Sequence, residues 1–342
     1  MEESLAAVMR TAVARAEQAR GRTSPNPPVG AVVLDADGQV AGLGETQPPG
    51  GPHAEVVALR AAGERARGGT AVVTLEPCAH FGRTPPCTAA LLDAGVARVV
   101  YAVSDPHAAA AGGAKVLADA GVAVTGGLLA EEVARGPLRA WLHHIRTGRP
   151  HVTWKYAATL DGRVAAADGT SRWISSAVSR AEVHDLRRKV DAIMVGRGTV
   201  LADDPALTAR AEDGTPAPRQ PLRVVVGHGD LPAGAKVLDD AAETLRARTH
   251  DPAEVLTELA ARGVVDVLLE GGPTLAGAFA EAGAIDRVLA YVAPVLLGAG
   301  PVALGASGVS TITGAHKFAV EEVTMCGPDV RISAVPSRNQ RN

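Results

Sequence analysis

His53-Ala54-Glu55 is followed, 24 residues after the histidine, by a segment reading Pro-Cys-Ala-His-Phe-Gly-Arg-Thr-Pro-Pro-Cys, which carries Cys78 and Cys87. One histidine and two cysteines can bind a zinc ion and leave its fourth position open, the feature that separates a catalytic zinc from a structural one. Zinc lowers the pKa of a bound water, so hydroxide becomes available near neutral pH. Glu55 is placed to be a proton carrier beside that water, because a carboxylate that is not a ligand can take its proton and pass it to a leaving group. The chemistry that uses such a set is hydrolytic deamination of a nitrogen heterocycle, at the ring carbon bearing the exocyclic amine. A structural zinc would want a fourth protein ligand, for which His80 is the nearest candidate. Without a metal, the same residues read as a helix-starting histidine and two buried thiols.

The elements around these residues must bring them together. On a regular helix, positions i and i+2 diverge by about 200°. His53 and Glu55 can therefore serve one site only if His53 sits where the chain is still entering the helix. The patterning predicts helices over residues 3–20, 53–65, 85–94, 114–120 and 131–146, and strands over 29–34, 40–44, 71–75, 96–103 and 122–125. Strands alternating with helices imply a layered α/β domain. The zinc residues then fall at loop-to-helix junctions, where unpaired N–H groups favour thiolate. A boundary is expected at 147–150 (Thr-Gly-Arg-Pro). A second α/β unit follows, with strands at 151–158, 192–195, 223–226, 264–269 and 287–292 and helices at 179–189, 252–262 and 274–282. The domains expected are 1–147 and 151–335, with a polar tail at 336–342.

At 342 residues the chain is long for one domain and natural for two. It is 46% hydrophobic but only 3% aromatic, so its cores must be built from Ala, Val and Leu. The net charge of −3 comes from mixed acids and bases, and no basic block suggests a nucleic-acid partner. No run of about 18 apolar residues predicts a membrane span, and the N-terminus reads as an amphipathic helix rather than a signal peptide. Three cysteines, two of them assigned to zinc, fit a reducing cytoplasm. A surface rich in Ala, Val and Leu is compatible with a homodimer or larger homo-oligomer.

The H-x-E…P-C part of the motif matches zinc deaminases, but eight residues rather than two separate Cys78 from Cys87. With its Gly82-Arg83-Thr84-Pro85-Pro86 filling, the segment resembles the bifunctional riboflavin-biosynthesis deaminase–reductases of bacteria. The likeness extends over roughly residues 5–335. It rests also on residues 25–30 (PNPPVG), 155–163 (KYAATLDGR), 171–174 (SRWI), 199–207 (TVLADDPAL) and 269–274 (LEGGPT). It implies a cytidine-deaminase-like three-layer domain followed by a dihydrofolate-reductase-like α/β domain, with Zn²⁺ and NADPH as cofactors. The implied reactions are removal of the 2-amino group of 2,5-diamino-6-ribosylamino-4(3H)-pyrimidinone 5′-phosphate, then reduction of the ribosyl group of the aminouracil to ribityl.

By this likeness His53, Cys78 and Cys87 hold the metal and Glu55 shuttles the proton. Asn26, locked between prolines, His80 and Arg83 would contact the deaminase substrate, Arg83 pairing with its 5′-phosphate. Asn26 could equally form a turn, and Arg83 could be a solvated loop charge. In the second half, Ala157, Trp173, Thr199 and Asp203 would contact NADPH, and Gly272 would let backbone approach a cofactor phosphate at a helix N-terminus. Ser171, Arg187, Leu207, Arg210 and Glu270 would contact substrate. Lys155 is a candidate electrostatic aid to ring opening, or a strand lysine whose ammonium reaches solvent; Asp161 could also face the ribose. No G-x-G-x-x-G follows the first strand of this half, which disfavours a Rossmann cofactor site.

The chain departs from the family pattern in two pocket loops. Residues 44–47 (Gly-Glu-Thr-Gln) lack a histidine that many relatives carry, and His107 stands where many carry asparagine. Glu45, Thr46 and His107 therefore bear on deaminase specificity, leaving open a shifted pyrimidine substrate. A nucleic-acid or free-base deaminase with an unrelated second domain would predict Cys-x-x-Cys spacing and a basic surface. A non-catalytic zinc-stabilised protein would have no need of Glu55 or of a second half with cofactor motifs.

Overall fold

Small residues let the helices of the first half lie almost directly on its sheet. Gly30 and Gly44 face helix backbone so closely that a β-carbon would stand 1.9 Å from the Ala12 carbonyl oxygen in one case and 2.2 Å from that of Ala54 in the other. This is how a chain nearly free of aromatic residues fills a core: backbone approaches backbone, and Ala, Val and Leu occupy what remains. Gly44→Ala is expected to force helix and strand apart and to lower stability by about 1–3 kcal/mol. An unchanged urea midpoint would show that this contact does not set the spacing.

In this computed structural model the described residues are 2–80, 85–107, 111–211 and 213–337, and residues 1–149 and 150–342 form two compact units. The first contains α1 (Glu2–Ala19), β1 (Gly30–Leu34), β2 (Val40–Glu45), α2 (Ala54–Ala62), β3 (Thr70–Leu75), α3 (Cys87–Asp93), β4 (Arg98–Val103), α4 (Gly113–Asp119), β5 (Ala123–Gly126), α5 (Ala130–Arg135) and α6 (Arg139–Thr147). Its sheet runs β2-β1-β3-β4-β5; β1 is antiparallel to β2 and β3, while β3, β4 and β5 are parallel. Central β3 is buried along nearly its entire length, as a strand covered on both faces must be. The single helix expected at 131–146 is two helices. Gly136 and Pro137 intervene, and proline disfavours helical backbone in the residue before it.

The second unit contains β6 (His151–Thr159), α7 (Ala177–Lys189), β7 (Ala192–Gly196), α8 (Arg197–Asp203), β8 (Leu222–Val226), β9 (Thr244–Ala247), α9 (Pro252–Ala261), β10 (Asp266–Leu269), α10 (Pro273–Glu281), β11 (Arg287–Ala293), β12 (Phe318–Cys326) and β13 (Asp329–Pro336). The sheet order is β12-β13-β11-β6-β10-β7-β8-β9; from β11 to β9 all neighbours are parallel, and β13 and β12 add an antiparallel edge. Alternate residues of its central strands feed two cores. Met194, Val224 and Leu269 pack with Leu259, Leu275 and Phe279 of α9 and α10; Ile193, Val225 and Leu268 pack with Val200, Leu207 and Val237. Among the described residues, no helix is long and apolar enough to cross a membrane.

Candidate active sites

His53 is the N-cap of α2, with extended backbone (φ −72°, ψ 162°), and Glu55 lies in the first turn. The change of backbone at this junction lets both side chains reach one cavity. Cys87 opens α3, and its N–H donates to the Cys78 sulfur at 3.4 Å. The His53 Nδ1 lies 3.2 Å from Cys87 Sγ and 3.7 Å from Cys78 Sγ. Tetrahedral zinc with ordinary Zn–N and Zn–S bonds would set such nitrogen–sulfur separations at about 3.6 Å. One imidazole and two sulfurs thus stand at zinc-ligand spacing, with all three donor atoms within 4.8 Å of one another.

The electrostatics suit a divalent cation. The hydrogen bond with Cys87 holds the Cys78 thiol down to about 4, and the same bond, reinforced by burial, pushes Cys87 above the usual thiol range. The Cys78 hydrogen bond raises His53. Glu55 is 5% exposed, and burial raises its carboxyl above the ordinary range.

The surrounding cavity, of about 420 Å³, brings Asn26 and His80 to the same space as His53, Glu55 and Cys78. Arg83 lies outside the described residues. Thr46 and His107 line the wall, as the departures from the family pattern imply, but Glu45 does not. Its carboxylate turns toward Arg15 and Arg22 of the N-terminal segment. The Thr46 hydroxyl is engaged by the Val29 backbone, which donates to it at 3.1 Å. Asp105, from the loop expected to line the pocket, does so, whereas sequence reasoning missed Glu76 and Trp141, which also line this cavity. The Glu76 carboxylate accepts hydrogen bonds from the N–H groups of Asp105 (3.2 Å), Gly112 (3.2 Å) and Ala114 (3.0 Å), tethering the loop that carries His107. Its place two residues before Cys78, at the end of β3, was the available signal.

In the second unit a cavity of about 1180 Å³ is lined by Lys155, Ala157, Ser171, Trp173, Arg187, Asp203, Leu207, Arg210 and Glu270. Parallel strands explain the convergence, since Glu270 follows β10 directly and Lys155 and Ala157 lie on neighbouring β6. Arg187 grips Glu270 with two parallel bonds, Nε to Oε1 at 2.7 Å and Nη2 to Oε2 at 2.6 Å, and donates to the Thr208 carbonyl at 3.1 Å. Burial alone would raise Glu270, but the Arg187 charge and its hydrogen bonds outweigh it and hold the carboxyl below the usual range. Burial lowers the Lys155 ammonium, with Glu270 acting against it. Thr199 and Gly272 do not line this cavity. They adjoin each other instead: a β-carbon on Gly272 would stand 3.2 Å from Thr199 Oγ1. Asp161 is likewise absent from the lining. Its carboxylate accepts from the Thr159 hydroxyl at 2.5 Å and the Gly298 N–H at 2.6 Å, fixing a loop rather than facing a sugar. His184, three residues before Arg187 on α7, lines the cavity and was not anticipated.

Residues 2–103 match the family described as the cytidine and deoxycytidylate deaminase zinc-binding region, and residues 150–332 match the RibD C-terminal domain. The riboflavin biosynthesis protein RibD of Mycobacterium tuberculosis (strain H37Rv) is 58% identical over 333 residues, 97% of this chain and 98% of that protein. Its counterpart in Escherichia coli (strain K12) is 39% identical over 366 residues, covering 96% of this chain and 98% of that one. Among solved structures, Acinetobacter baumannii RibD superposes with a TM-score of 0.86 at 35% identity, covering 99% of this chain and 100% of that one. A diaminohydroxyphosphoribosylaminopyrimidine deaminase/5-amino-6-(5-phosphoribosylamino)uracil reductase from Thermotoga maritima gives 0.89 at 33% identity, covering 98% and 99%. A deaminase half of cytidine-deaminase type, with a histidine and two cysteines at zinc-ligand spacing, is here joined to a reductase half along nearly full-length relatives. The chain belongs to the RibD family and is a bifunctional riboflavin-biosynthesis enzyme, a zinc-dependent deaminase joined to an NADPH-dependent reductase.

Proposed function

We propose that residues 1–147 deaminate 2,5-diamino-6-ribosylamino-4(3H)-pyrimidinone 5′-phosphate and that residues 151–335 reduce the resulting 5-amino-6-(5-phosphoribosylamino)uracil at its ribosyl group. These are the activities named for the Thermotoga maritima protein. The observation that carries the reading is the triad of His53, Cys78 and Cys87 at ligand spacing, with the buried carboxyl of Glu55 in the cavity that His53 and Cys78 line. These three residues would hold the zinc ion, which supplies the Lewis acidity that makes a water nucleophilic near neutral pH. Glu55 takes the water's proton and hands it on as the C2–N bond breaks, so water is consumed and ammonia leaves. Asn26 and the loop held by Glu76 bound the space for the pyrimidine and its ribose.

In the second unit NADPH supplies the reducing equivalents. Arg187 and Arg210 give the anionic sugar phosphate its counter-charge. Glu270, fixed by Arg187, offers a rigid acceptor to the sugar, and Lys155 stands in the same cavity as a compact cation. Gly272 and Thr199 border the approach of the cofactor's diphosphate. The same reading carries a cytoplasmic location, supported by three free cysteines, and self-association, supported by the exposed Val320, Val323 and Met325 of edge strand β12. The metal assignment has its own test. The purified chain should carry about one zinc ion, and His53→Ala or Cys87→Ser should lose it together with ammonia release. A Cys87→Ser chain with full zinc content would remove Cys87 from the ligand set.

A further inference from the structure

Strand β11 runs beside β6 in parallel register, with Leu289 opposite Lys155 and Tyr291 opposite Ala157. Alternate residues of a strand share a face, so Lys155 and Tyr291 project from the same side of the sheet as diagonal neighbours. Leu289 and Tyr291 pack there with Val183 and Leu186 of α7 and with Cys326 of β12. Tyr291 is fully buried, and the Lys155 Nζ lies over its ring, 5.8 Å from the centroid. At that range an ammonium is drawn to the face of an aromatic ring, most strongly where water is excluded.

The far end of the ring is set as well. The Tyr291 hydroxyl is sealed from solvent, and burial, together with the Glu182 carboxylate beside it, pushes the phenol above its usual range. Glu182 of α7 is held by two strands: Arg331 of β13 donates to Oε1, and the Cys326 thiol of β12 donates to Oε2 at 3.0 Å. The ring therefore offers Lys155 a rigid face. The neighbouring anion, meanwhile, is taken. Both Glu270 oxygens accept from Arg187, and among the described residues the Lys155 ammonium makes no hydrogen bond or ion pair. An ammonium carries three donors. All three stay available in the cavity that Lys155, Arg187 and Glu270 line.

We propose that Tyr291 is a positioning residue of the reductase site, its ring holding the Lys155 ammonium off Glu270 with its donors free for the sugar of the substrate. The inference rests on the reading of Lys155 as the cation that meets that sugar. Tyr291 itself does not line the cavity, so it acts through Lys155. The ring draws the charge without offering an oxygen that would bind the ammonium and compete with the substrate.

Steady-state reduction of supplied aminouracil ribose phosphate by the full chain tests this. Tyr291→Phe keeps the ring and should keep kcat within about 2-fold. Tyr291→Leu should lower kcat about 10-fold with KM little changed, the size that a desolvated ammonium–ring contact carries. The fall of kcat at high pH, where Lys155 gives up its proton, should move to lower pH in Tyr291→Leu and stay in place in Tyr291→Phe. Neighbouring groups titrate elsewhere: Glu270 and Glu182 are held below the usual carboxylate range and His184 below that of imidazole, while Arg187 and Tyr291 lie above their own. Should Tyr291→Leu fail to fold, Tyr291→Phe made with a ring-fluorinated phenylalanine keeps the shape and draws charge from the ring face. It should show the same loss relative to the plain ring. Equal kcat for plain and fluorinated rings, or a loss in Tyr291→Leu without movement of the high-pH limb, would overturn the inference and leave the Lys155 reading standing. An unchanged kcat in Lys155→Met would overturn that reading and the inference with it.

Discussion

Glu55→Gln is expected to lower ammonia release by about 10²–10⁴-fold, the range that a positioned general acid–base group supplies. The amide keeps the shape of the carboxyl at a buried position, so the fold and the cavity should survive. Zinc content should hold too, because the triad at ligand spacing does not include Glu55. What the amide cannot do is accept the water's proton and return it to the departing amine. NADPH oxidation on supplied aminouracil phosphate should persist, since every residue placed in that chemistry lies in the unit of residues 150–342. Loss of both activities in a folded, zinc-loaded variant would show that the two sites do not work independently.

Arg187→Ala should have the second largest effect, on stability and on the reductase together. The side chains of Arg187 and Glu270 are only 16% and 9% exposed, so removing the guanidinium strands a carboxylate in a poorly solvated place. Breaking a buried pair in this way costs about 3–5 kcal/mol. The pH dependence should change sign. In the wild-type protein the folded Glu270 has a depressed pKa, so its contribution is present above the unfolded value of about 4.3 and is lost as pH falls through the folded value. Without Arg187, burial is left as the main influence and the folded pKa lies above the unfolded one. The variant should then lose stability as pH rises past about 4.3. Urea denaturation at pH 4 and pH 7 reads both effects. Adding Glu270→Gln to the variant should recover part of the loss at pH 7, whereas no recovery would mean that the arginine acts through packing alone.

Much of this was legible in the residues because motif and element coincide. The zinc histidine and Cys87 open helices, and Glu270 directly follows a strand whose register with β6 and β7 brings it beside the Lys155 strand. The pattern also revealed the alternation of strands and helices in both halves. It failed where local signals compete. Strand β12 reads Phe-Ala-Val-Glu-Glu-Val-Thr-Met-Cys and is exposed along most of its length, so it lacks the apolar alternation that marks a half-buried strand, and it and β13 were not anticipated. The apolar pattern of residues 131–146 runs across Gly136-Pro137, so two helices read as one. Side-chain direction was the larger gap. Nothing in residues 44–47 shows that Glu45 turns toward Arg15 while Thr46 faces the cavity, although strand alternation offers a hint. The position of Asp161 just after β6 allows it to face the sugar, but its carboxylate is occupied by the backbone N–H groups of Leu297 and Gly298, more than a hundred residues away. Such long-range partners leave no local trace.

The central claim is that one chain performs the two reactions in a fixed order, deamination before reduction. The most direct measurement follows ammonia and NADPH together after zinc-loaded protein meets the diaminopyrimidinone ribose phosphate. The account predicts ammonia release first, then NADPH loss in matching amount, with NADPH untouched when Glu55→Gln replaces the wild-type chain. NADPH consumption by that variant on the undeaminated compound, or wild-type protein that consumes NADPH without releasing ammonia, would contradict it.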